Sequence, residues 1–336
     1  MTKYILAIET SCDDTSVSVI DTSFHVHSNV ISSQQIHSDY GGVVPELASR
    51  AHQSNIIPTI EKALLSSGIQ NKDLSAVAFT RGPGLLGSLL VGVSFAKSFA
   101  QSLKLPLIEV NHLQAHVLAH FIKETPDAEQ PQFPFLCLLV SGGNTQIILV
   151  KSPFDFEIIG RTIDDAAGET IDKVAKILSL PYPGGPHIDK LAKNGNSHAL
   201  TFSTANISGY DFSFSGLKTS ILYALRDRLK ENPDYIKENL ADIAASAQLA
   251  VVSSLMKKFS LAVKQTNIKT IAIAGGVSAN SLLKEQVKAL GEQYNCKVFI
   301  PSLQYSTDNA AMIAAAALFK YQEGIFADLD LTPYTR

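Results

Sequence analysis

The chain has 336 residues, of which 46% are hydrophobic and 18% charged, a balance typical of a globular protein. Single hydrophobic cores stop growing at about 250–300 residues, so this length predicts two lobes. The net charge of −3 argues against a protein that binds nucleic acid through its own charge surplus. Three scattered cysteines without a CxxC pair argue against a disulfide framework or a cysteine-based zinc site. With a signal peptide and a long apolar run both missing, we expect a cytoplasmic protein without a membrane partner.

Two strand–turn–strand patterns stand near the starts of the two halves of the chain. Lys3–Ile8 and Val17–Ile20 are apolar runs around the polar turn ETSCDDTS, and Phe135–Val140 and Gln146–Val150 flank SGGNT in the same way. A third apolar run, Ile271–Ala274, leads through GGVSAN into a predicted helix. The repeat predicts a duplicated α/β fold with a ligand cleft between two lobes.

A proline-rich stretch marks the border between the lobes. Residues 125–134 contain three prolines, which indicates a linker. We therefore predict an N-terminal lobe over residues 1–130 and a C-terminal lobe over 131–336, whose last helix is able to pack back on the first lobe. Long helices are predicted at Ala48–Ser67 (interrupted at Pro58), Ser88–Leu103 and Ala241–Val263.

A histidine pair is the sharpest chemical feature. His112 and His116 are four residues apart, so on a helix both imidazoles share one face and are able to bind one metal ion. Asp308 is a candidate third ligand, which would give the two-histidine, one-carboxylate set that suits iron(II), with zinc as the alternative. The competing interpretations are a packed histidine pair and a helix N-cap for Asp308.

Two stretches resemble motifs of other enzyme classes. The HExxH metalloprotease pattern needs a glutamate after the first histidine, and Leu113 at that position is unable to activate water. Gly82–Gly87 satisfies GxGxxG after an apparent strand, with Glu109 further on, which leaves an NAD-dependent oxidoreductase as a rival hypothesis. A tight turn packed between helix and sheet explains the same glycines. The basic cluster of Arg226, Arg228 and Lys230 is a candidate contact for a nucleic acid or a solvated helix face.

The order of many separate motifs resembles the TsaD family of tRNA N6-adenosine threonylcarbamoyltransferases, once described as glycoproteases. The matching stretches cover nearly the whole chain: IETSCDDTS, HSDYGGVVPELASRAH, GPGLLGSLLVG, HLQAH, LLVSGGNTQ, IDDAAGETIDKVAK, YPGGP, DFSFSGLKTS, AGGVSAN and TDNAAMIA. The resemblance implies an actin-like ATPase fold of the sugar-kinase and chaperone superfamily. It also implies transfer of the threonylcarbamoyl group from threonylcarbamoyl-AMP to N6 of adenosine 37, in tRNAs reading codons that begin with A.

The resemblance assigns roles to individual positions. His112, His116 and Asp308 resemble the family's metal ligands, with iron(II) favoured and zinc as the alternative. Positions that resemble the donor-binding residues are Leu139, Val140, Ser141, Gly142, Gly143, Asp172, Gly185, Asp189 and Asn280. The implied partners are tRNA, a non-catalytic paralogue of the transferase and a small ATPase. A non-catalytic scaffold of the same fold is the main alternative function, but a scaffold has no reason to keep the metal set.

Several positions depart from the family's commonest pattern. Asn111 replaces a frequent histidine, Asn144 a usual histidine, and Arg81 a common alanine. Gln114-Ala115 stands between the histidines in place of Glu-Gly. None of these is a proposed ligand, so the expected effect is on the surroundings of the metal site, where neighbours orient ligating imidazoles.

Overall fold

A computed structural model describes residues 2–335, with the side chains of all of these except Ser38 and Asp39. The chain forms two compact units: unit 1 is Met1–Pro131 with Pro301–Arg336, and unit 2 is Gln132–Ile300. The boundary between Pro131 and Gln132, where the chain passes from unit 1 to unit 2, lies inside the predicted linker. The sequence predicted a second lobe over residues 131–336 with a last helix able to pack back on the first lobe. In the structure the segment from Pro301 onward, which includes that helix, groups with unit 1.

Each unit contains a five-stranded sheet, and the two sheets have the same topology. The order is β3-β2-β1-β4-β5 in unit 1 and β8-β7-β6-β9-β10 in unit 2. In both sheets the first three strands in sequence pair antiparallel, and the fourth and fifth join in parallel. The duplication predicted from the sequence is therefore confirmed. The strands are β1 (Tyr4–Glu9), β2 (Thr15–Asp21), β3 (Val26–Ser32), β4 (Leu74–Gly82), β5 (Leu107–Asn111), β6 (Phe135–Val140), β7 (Thr145–Ser152), β8 (Asp155–Arg161), β9 (Thr270–Ala274) and β10 (Lys297–Phe299).

Helices cover the sheets. In chain order they are α1 (His37–Tyr40), α2 (Pro45–Ser67), α3 (Leu86–Leu103), α4 (His112–Leu118), α5 (Ala167–Ile177), α6 (Gly184–Ala192), α7 (Ser215–Glu231), α8 (Tyr235–Glu238), α9 (Leu240–Thr266), α10 (Ser281–Tyr294), α11 (Leu303–Ser306) and α12 (Ala310–Gln322). Short 3₁₀ turns lie at Asn71–Asp73, Ala119–Phe121 and Gly276–Ala279. The predicted interruption at Pro58 is wrong, because α2 runs through this residue. Ile56, Ile60 and Ala63 bury their side chains on either side of it and hold the helix against the sheet.

Strand β1 lies at the centre of unit 1 and is buried on both faces. Leu6 and Ile8 point into a core formed with α2 and α3, and the alternation of a strand places Ile5 and Ala7 on the opposite face, where α12 packs. The residues after β1 are thus held between two helical layers. That position explains why polar groups at the end of β1 are buried.

Helix α9 has the length and apolar composition of a membrane span, and among the described residues it alone does. The sequence indicated no such run. Because 56% of its most apolar window is buried within the protein, the helix fits the core of unit 2, where Val251, Leu255 and Phe259 join the main apolar cluster.

Candidate metal centre and donor-binding loops

The predicted metal ligands meet in unit 1. One ligand atom each from His112, His116 and Asp308 lies within 4.8 Å of the others. Asp308 Oδ1 lies 3.1 Å from His116 Nε2 and 3.5 Å from His112 Nε2. The two imidazole rings stand edge to face, with centroids 4.8 Å apart. Asp308, 192 residues beyond His116 in the sequence, thus lies beside the two histidines.

Helix N-caps position the two segments that carry these ligands, α4 and the residues before α12. Asn111 ends β5 and caps α4, since its Oδ1 accepts a hydrogen bond from the Gln114 amide at 3.0 Å. His112 and His116 then follow on one face of the helix. The predicted N-cap alternative for Asp308 is wrong. Asn309 is the N-cap of α12, with its side chain accepting from the Met312 amide, and this leaves the Asp308 carboxylate free to face the histidines.

A buried glutamate, which the sequence interpretation missed, stands behind His112. Glu9 is the last residue of β1 and is fully buried. Its Oε2 lies 3.3 Å from His112 Nδ1 and accepts a hydrogen bond from the Thr80 hydroxyl, while Oε1 accepts from the Ser11 amide at 2.5 Å. With His112 Nε2 turned toward Asp308, Nδ1 donates to Glu9, as carboxylates commonly orient metal-binding histidines. The signal available in the sequence was the position of Glu9, a carboxylate at the end of a predicted apolar strand.

Charge couples these groups strongly. Burial opposes protonation of His112, but the carboxylates of Asp308 and Glu9 outweigh it and raise the pKa of His112 to about 10. Burial likewise opposes ionisation of Asp308 and Glu9, yet His112 holds the pKa of both carboxyl groups below their ordinary values. In the metal-free protein a proton on His112 therefore compensates the two carboxylates.

The donor set fits a divalent cation. Two imidazoles and one carboxylate are the ligand types of open two-histidine, one-carboxylate sites. His116 is 1% exposed, and its Nδ1 is a buried atom without a hydrogen-bond partner among the described residues. A positive ion beside Asp308 would also replace the proton that the cluster otherwise holds. The three residues thus form a candidate metal site.

The GPGLLG turn is packed by the chain itself. A Cβ built on Gly84 would lie 2.5 Å from Ser11 O, and one on Gly82 would lie 2.2 Å from Tyr334 O. Glu109, the acid expected to hold a ribose in the NAD hypothesis, instead pairs with Arg81 at 3.0 Å and Lys320 at 3.3 Å. Gly84 thus serves close packing against the loop after β1 and Gly82 against Tyr334, and the oxidoreductase hypothesis is not favoured.

In unit 2 the predicted donor-binding residues surround the ends of β6 and β9. Leu139 and Val140 end β6 inside the core, and Ser141 closes a turn by donating its amide to Asn144 O at 2.8 Å. A Cβ added to Gly142 or Gly143 would meet no atom within 4 Å, so this turn faces open space. Its backbone is thus accessible to a ligand.

A carboxylate and the starts of two helices, α6 and α10, lie around the same strand ends. Asp172 Oδ1 accepts from the Gly184 amide at 2.8 Å, at the start of α6. Burial raises the pKa of Asp172 above its ordinary value. Gly185 lies in the first turn of α6, and an added Cβ there would also face open space. Asn280 caps α10 by accepting from the Leu283 amide at 3.0 Å.

Asp189 joins α6 to the start of α10. Its Oδ1 accepts from the Ser281 amide at 2.9 Å, the Ser281 hydroxyl at 2.7 Å and Gln248 Nε2 at 3.2 Å. These contacts bring Asp189 next to Asn280, the residue before Ser281. Gln248 was not singled out from the sequence, because nothing in its helical context distinguishes it. Arg226, Arg228 and Lys230 are exposed on α7, where Lys230 pairs with Asp227.

The comparisons with known proteins agree with these features. The family model described as TsaD, tRNA N6-adenosine threonylcarbamoyltransferase, matches residues 25–315. A protein of that name from Phocaeicola vulgatus is 58% identical, covering 100% of this chain and 99% of its own length. Another from Porphyromonas gingivalis is 56% identical, covering 99% of this chain and 97% of its own length.

Solved structures resemble the chain in fold. HypF from T. kodakarensis superposes with a TM-score of 0.64 at 16% identity, covering 98% of this chain and 49% of HypF. The activator of 2-hydroxyisocaproyl-CoA dehydratase from Clostridium difficile, with bound ADPNP, gives a TM-score of 0.50 at 15% identity, covering 96% of this chain and 97% of the activator. These likenesses, with the duplicated sheets, confirm the predicted actin-like ATPase fold.

Proposed function

The chain belongs to the tRNA N6-adenosine threonylcarbamoyltransferase family, and on that premise we propose that it carries the threonylcarbamoyl group from threonylcarbamoyl-AMP to adenosine 37. The acceptor is N6 of that base in tRNAs reading codons that begin with A. The enzyme is an acyltransferase that modifies tRNA. The observation that carries the proposal is the cluster of His112, His116 and Asp308, two buried imidazoles and a partly exposed carboxylate, which gives the chain a site where chemistry is possible.

A divalent metal would be held by His112 Nε2, His116 Nε2 and Asp308 Oδ1, with Glu9 orienting His112 from behind. Iron(II) is the favoured ion and zinc the alternative, because both accept two imidazoles and one carboxylate. When bound, the ion supplies positive charge that anchors and polarises the oxygens of an anionic ligand. The protein's own contribution is a set of ligands held in place before any substrate arrives.

The loops of unit 2 would bind the donor. The open turn at Gly142 and Gly143 offers backbone amides to the phosphate, and an accessible backbone of this type suits anions. Gly185, in the first turn of α6, leaves open space beside the ligand because it has no side chain. Asp189 Oδ2 is available to accept ribose hydroxyls, since the donors from Ser281 and Gln248 occupy Oδ1. Leu139, Val140, Ser141, Asp172 and Asn280 hold these loops at the strand and helix ends.

The reaction is acyl transfer without a covalent enzyme intermediate. The N6 amine of adenosine attacks the carbamoyl carbon, the C–O bond to the phosphate breaks, AMP leaves with the electron pair, and the amine loses a proton. Positioning of the two substrates and stabilisation of the departing phosphate account for the acceleration. No residue is assigned as the base.

The proposal also covers the partner subunits, the tRNA contacts and the cellular location. We expect a non-catalytic paralogue and a small ATPase as partner subunits, tRNA contacts that include Arg226 and Arg228, and a cytoplasmic location. A scaffold function is not favoured, because its subunit would have no use for three converging metal ligands. The net charge of −3 makes partner-supplied basic surface a reasonable requirement for binding tRNA.

Nucleoside mass spectrometry tests the proposal. Unmodified tRNA is incubated with this chain, the partner proteins, threonine, bicarbonate, ATP and a donor-forming enzyme. We expect threonylcarbamoyladenosine only when the chain is present, and none with His112→Ala or His116→Ala. His25→Ala is the matched control, since His25 is exposed in the same unit away from the cluster. Full modification by both cluster variants would refute the metal role, and no modification with active partners would refute the transferase role.

A further inference from the structure

The last residues of the chain run along the ends of β4 and β5. Ala327 donates its amide to Leu107 O at 2.7 Å, and the Arg81 Nε donates to Thr332 O at 3.0 Å. Lys97 Nζ donates to Leu331 O, which ties the same segment to α3. The segment 327–334, hereafter the C-terminal strap, is thus anchored at several successive points to elements that precede the metal-binding helix.

Tyr334 is the residue at which the strap comes closest to the sheet. Its amide donates to Arg81 O at 3.2 Å, and its ring lies under the Arg81 guanidinium at 5.4 Å from the centroid. A Cβ on Gly82 would lie 2.2 Å from Tyr334 O and 3.0 Å from its ring, so only glycine permits this approach. The position of the tyrosine is therefore fixed by backbone contact and by ring packing, independently of its hydroxyl group.

The Tyr334 hydroxyl reaches the cap of α4. Asn111 Nδ2 donates to this oxygen at 2.7 Å, and Asn111 Oδ1 accepts from the Gln114 amide at 3.0 Å. An amide group has one donor end and one acceptor end, so a partner that holds the NH₂ end directs the oxygen toward the helix. A flipped amide would put NH₂ against the Gln114 N–H and remove the cap from the helix that carries both histidines.

From this chain of contacts we propose that Tyr334 is a positioning residue for the metal centre. It acts through Asn111, orienting the amide that caps α4 and thereby the direction from which His112 and His116 present Nε2. Two positions noted as departures from the family pattern, Arg81 and Asn111, are the residues that Tyr334 contacts. The inference rests on the proposed function, because it assumes that the histidine–aspartate cluster binds metal.

Metal affinity and amide exchange test the inference together. Zn²⁺ affinity of the full chain is measured by competition with a chromophoric chelator, and hydrogen exchange of residues 112–118 is followed in the metal-free protein. Tyr334→Phe keeps the ring and removes only the hydroxyl. We expect about fivefold weaker Zn²⁺ binding, the loss that one hydrogen bond of ordinary strength gives, and faster exchange in α4 with little change in melting temperature. Tyr321→Phe, on α12, should match the wild type in both measurements.

A double-mutant cycle separates this role from general loosening. If Tyr334 acts through Asn111, then Asn111→Ala with Tyr334→Phe binds Zn²⁺ within about twofold of Asn111→Ala alone, because the second change has nothing left to remove. Fully additive losses, or wild-type affinity and exchange in Tyr334→Phe, would overturn the inference while leaving the proposed function intact. A wild-type chain that binds no Zn²⁺ at the cluster would overturn both.

Discussion

Glu9 Oε2 and His112 Nδ1 lie 3.3 Å apart in the interior of unit 1, and the glutamate is fully buried. The same imidazole turns Nε2 toward Asp308 at 3.5 Å. His112 thus connects two carboxylates through its two nitrogens. A buried carboxylate with this placement fixes which nitrogen carries the proton, and therefore which nitrogen is available to a metal ion.

Glu9→Gln should weaken metal binding without removing any ligand. Glutamine keeps the size of the side chain, but it no longer offers His112 a charged acceptor. Loss of such an outer partner typically lowers metal affinity by about 10–100-fold. Chelator competition with the purified chain measures the effect. Glu46→Gln is the control, because Glu46 is an exposed residue of the same unit whose carboxylate pairs with Arg50. Equal affinity in both variants would show that Glu9 does not orient His112.

The metal-free protein should lose stability as the pH rises. Because the folded pKa of His112 is about 10 and the ordinary value is 6.5, protonation stabilises the folded state fully below 6.5. That stabilisation is lost as the pH rises through 10. Thermal melts of chelator-treated protein across this range should show the decline. Glu9→Gln should lower the folded pKa of His112, so the total decline should be smaller and should end at lower pH, and superimposable curves would contradict the coupling.

The sequence predicted the parts of this site that depend on local spacing. A separation of four residues places His112 and His116 on one helical face whatever the rest of the chain does, and the structure bears the helix out. It did not indicate Glu9, because a carboxylate at the end of an apolar strand looks like the first residue of the polar turn that follows. Asp308 was ambiguous because an aspartate before a predicted helix is also a common N-cap, a role that its neighbour Asn309 takes in the structure.

Gly92→Ala should destabilise the protein although it lies within α3. Alanine normally improves a helix by about 1 kcal/mol relative to glycine. Here the new Cβ would lie 2.2 Å from Thr10 Oγ1, a buried hydroxyl that donates to Ser88 O at 3.0 Å. Overpacking of this kind costs about 1–3 kcal/mol. Chemical denaturation should therefore show a lower free energy of unfolding. Gly216→Ala in α7 is the comparison, since its Cβ would meet no atom within 4 Å and should be neutral or mildly stabilising.

Tertiary packing also explains where sequence patterns misled. Pro58 was expected to break a helix, yet the helix continues because the apolar residues on both sides of the proline reach the same core. The glycines of GPGLLG matched a nucleotide fingerprint, but Gly84 is required by its approach to Ser11. In both cases the deciding contact comes from a residue far away in the sequence, and a local pattern contains no information about it.

Asp189→Asn should weaken the binding of AMP, the leaving group of the proposed reaction. Three donors, from Ser281 and Gln248, occupy Oδ1 and fix the carboxylate, and Oδ2 faces Lys193 only at 3.8 Å. An asparagine that kept those bonds would place NH₂ at Oδ2, so a ribose hydroxyl would lose its charged acceptor. A hydrogen bond to a charged group contributes about 1.5–3 kcal/mol, so calorimetry should show an affinity lower by at least tenfold. Asp155→Asn, at an exposed site on β8, serves as the control. If both variants bound AMP like the wild type, the ribose would have to be held elsewhere, and Asp189 would be left with the structural task of joining α6 to α10.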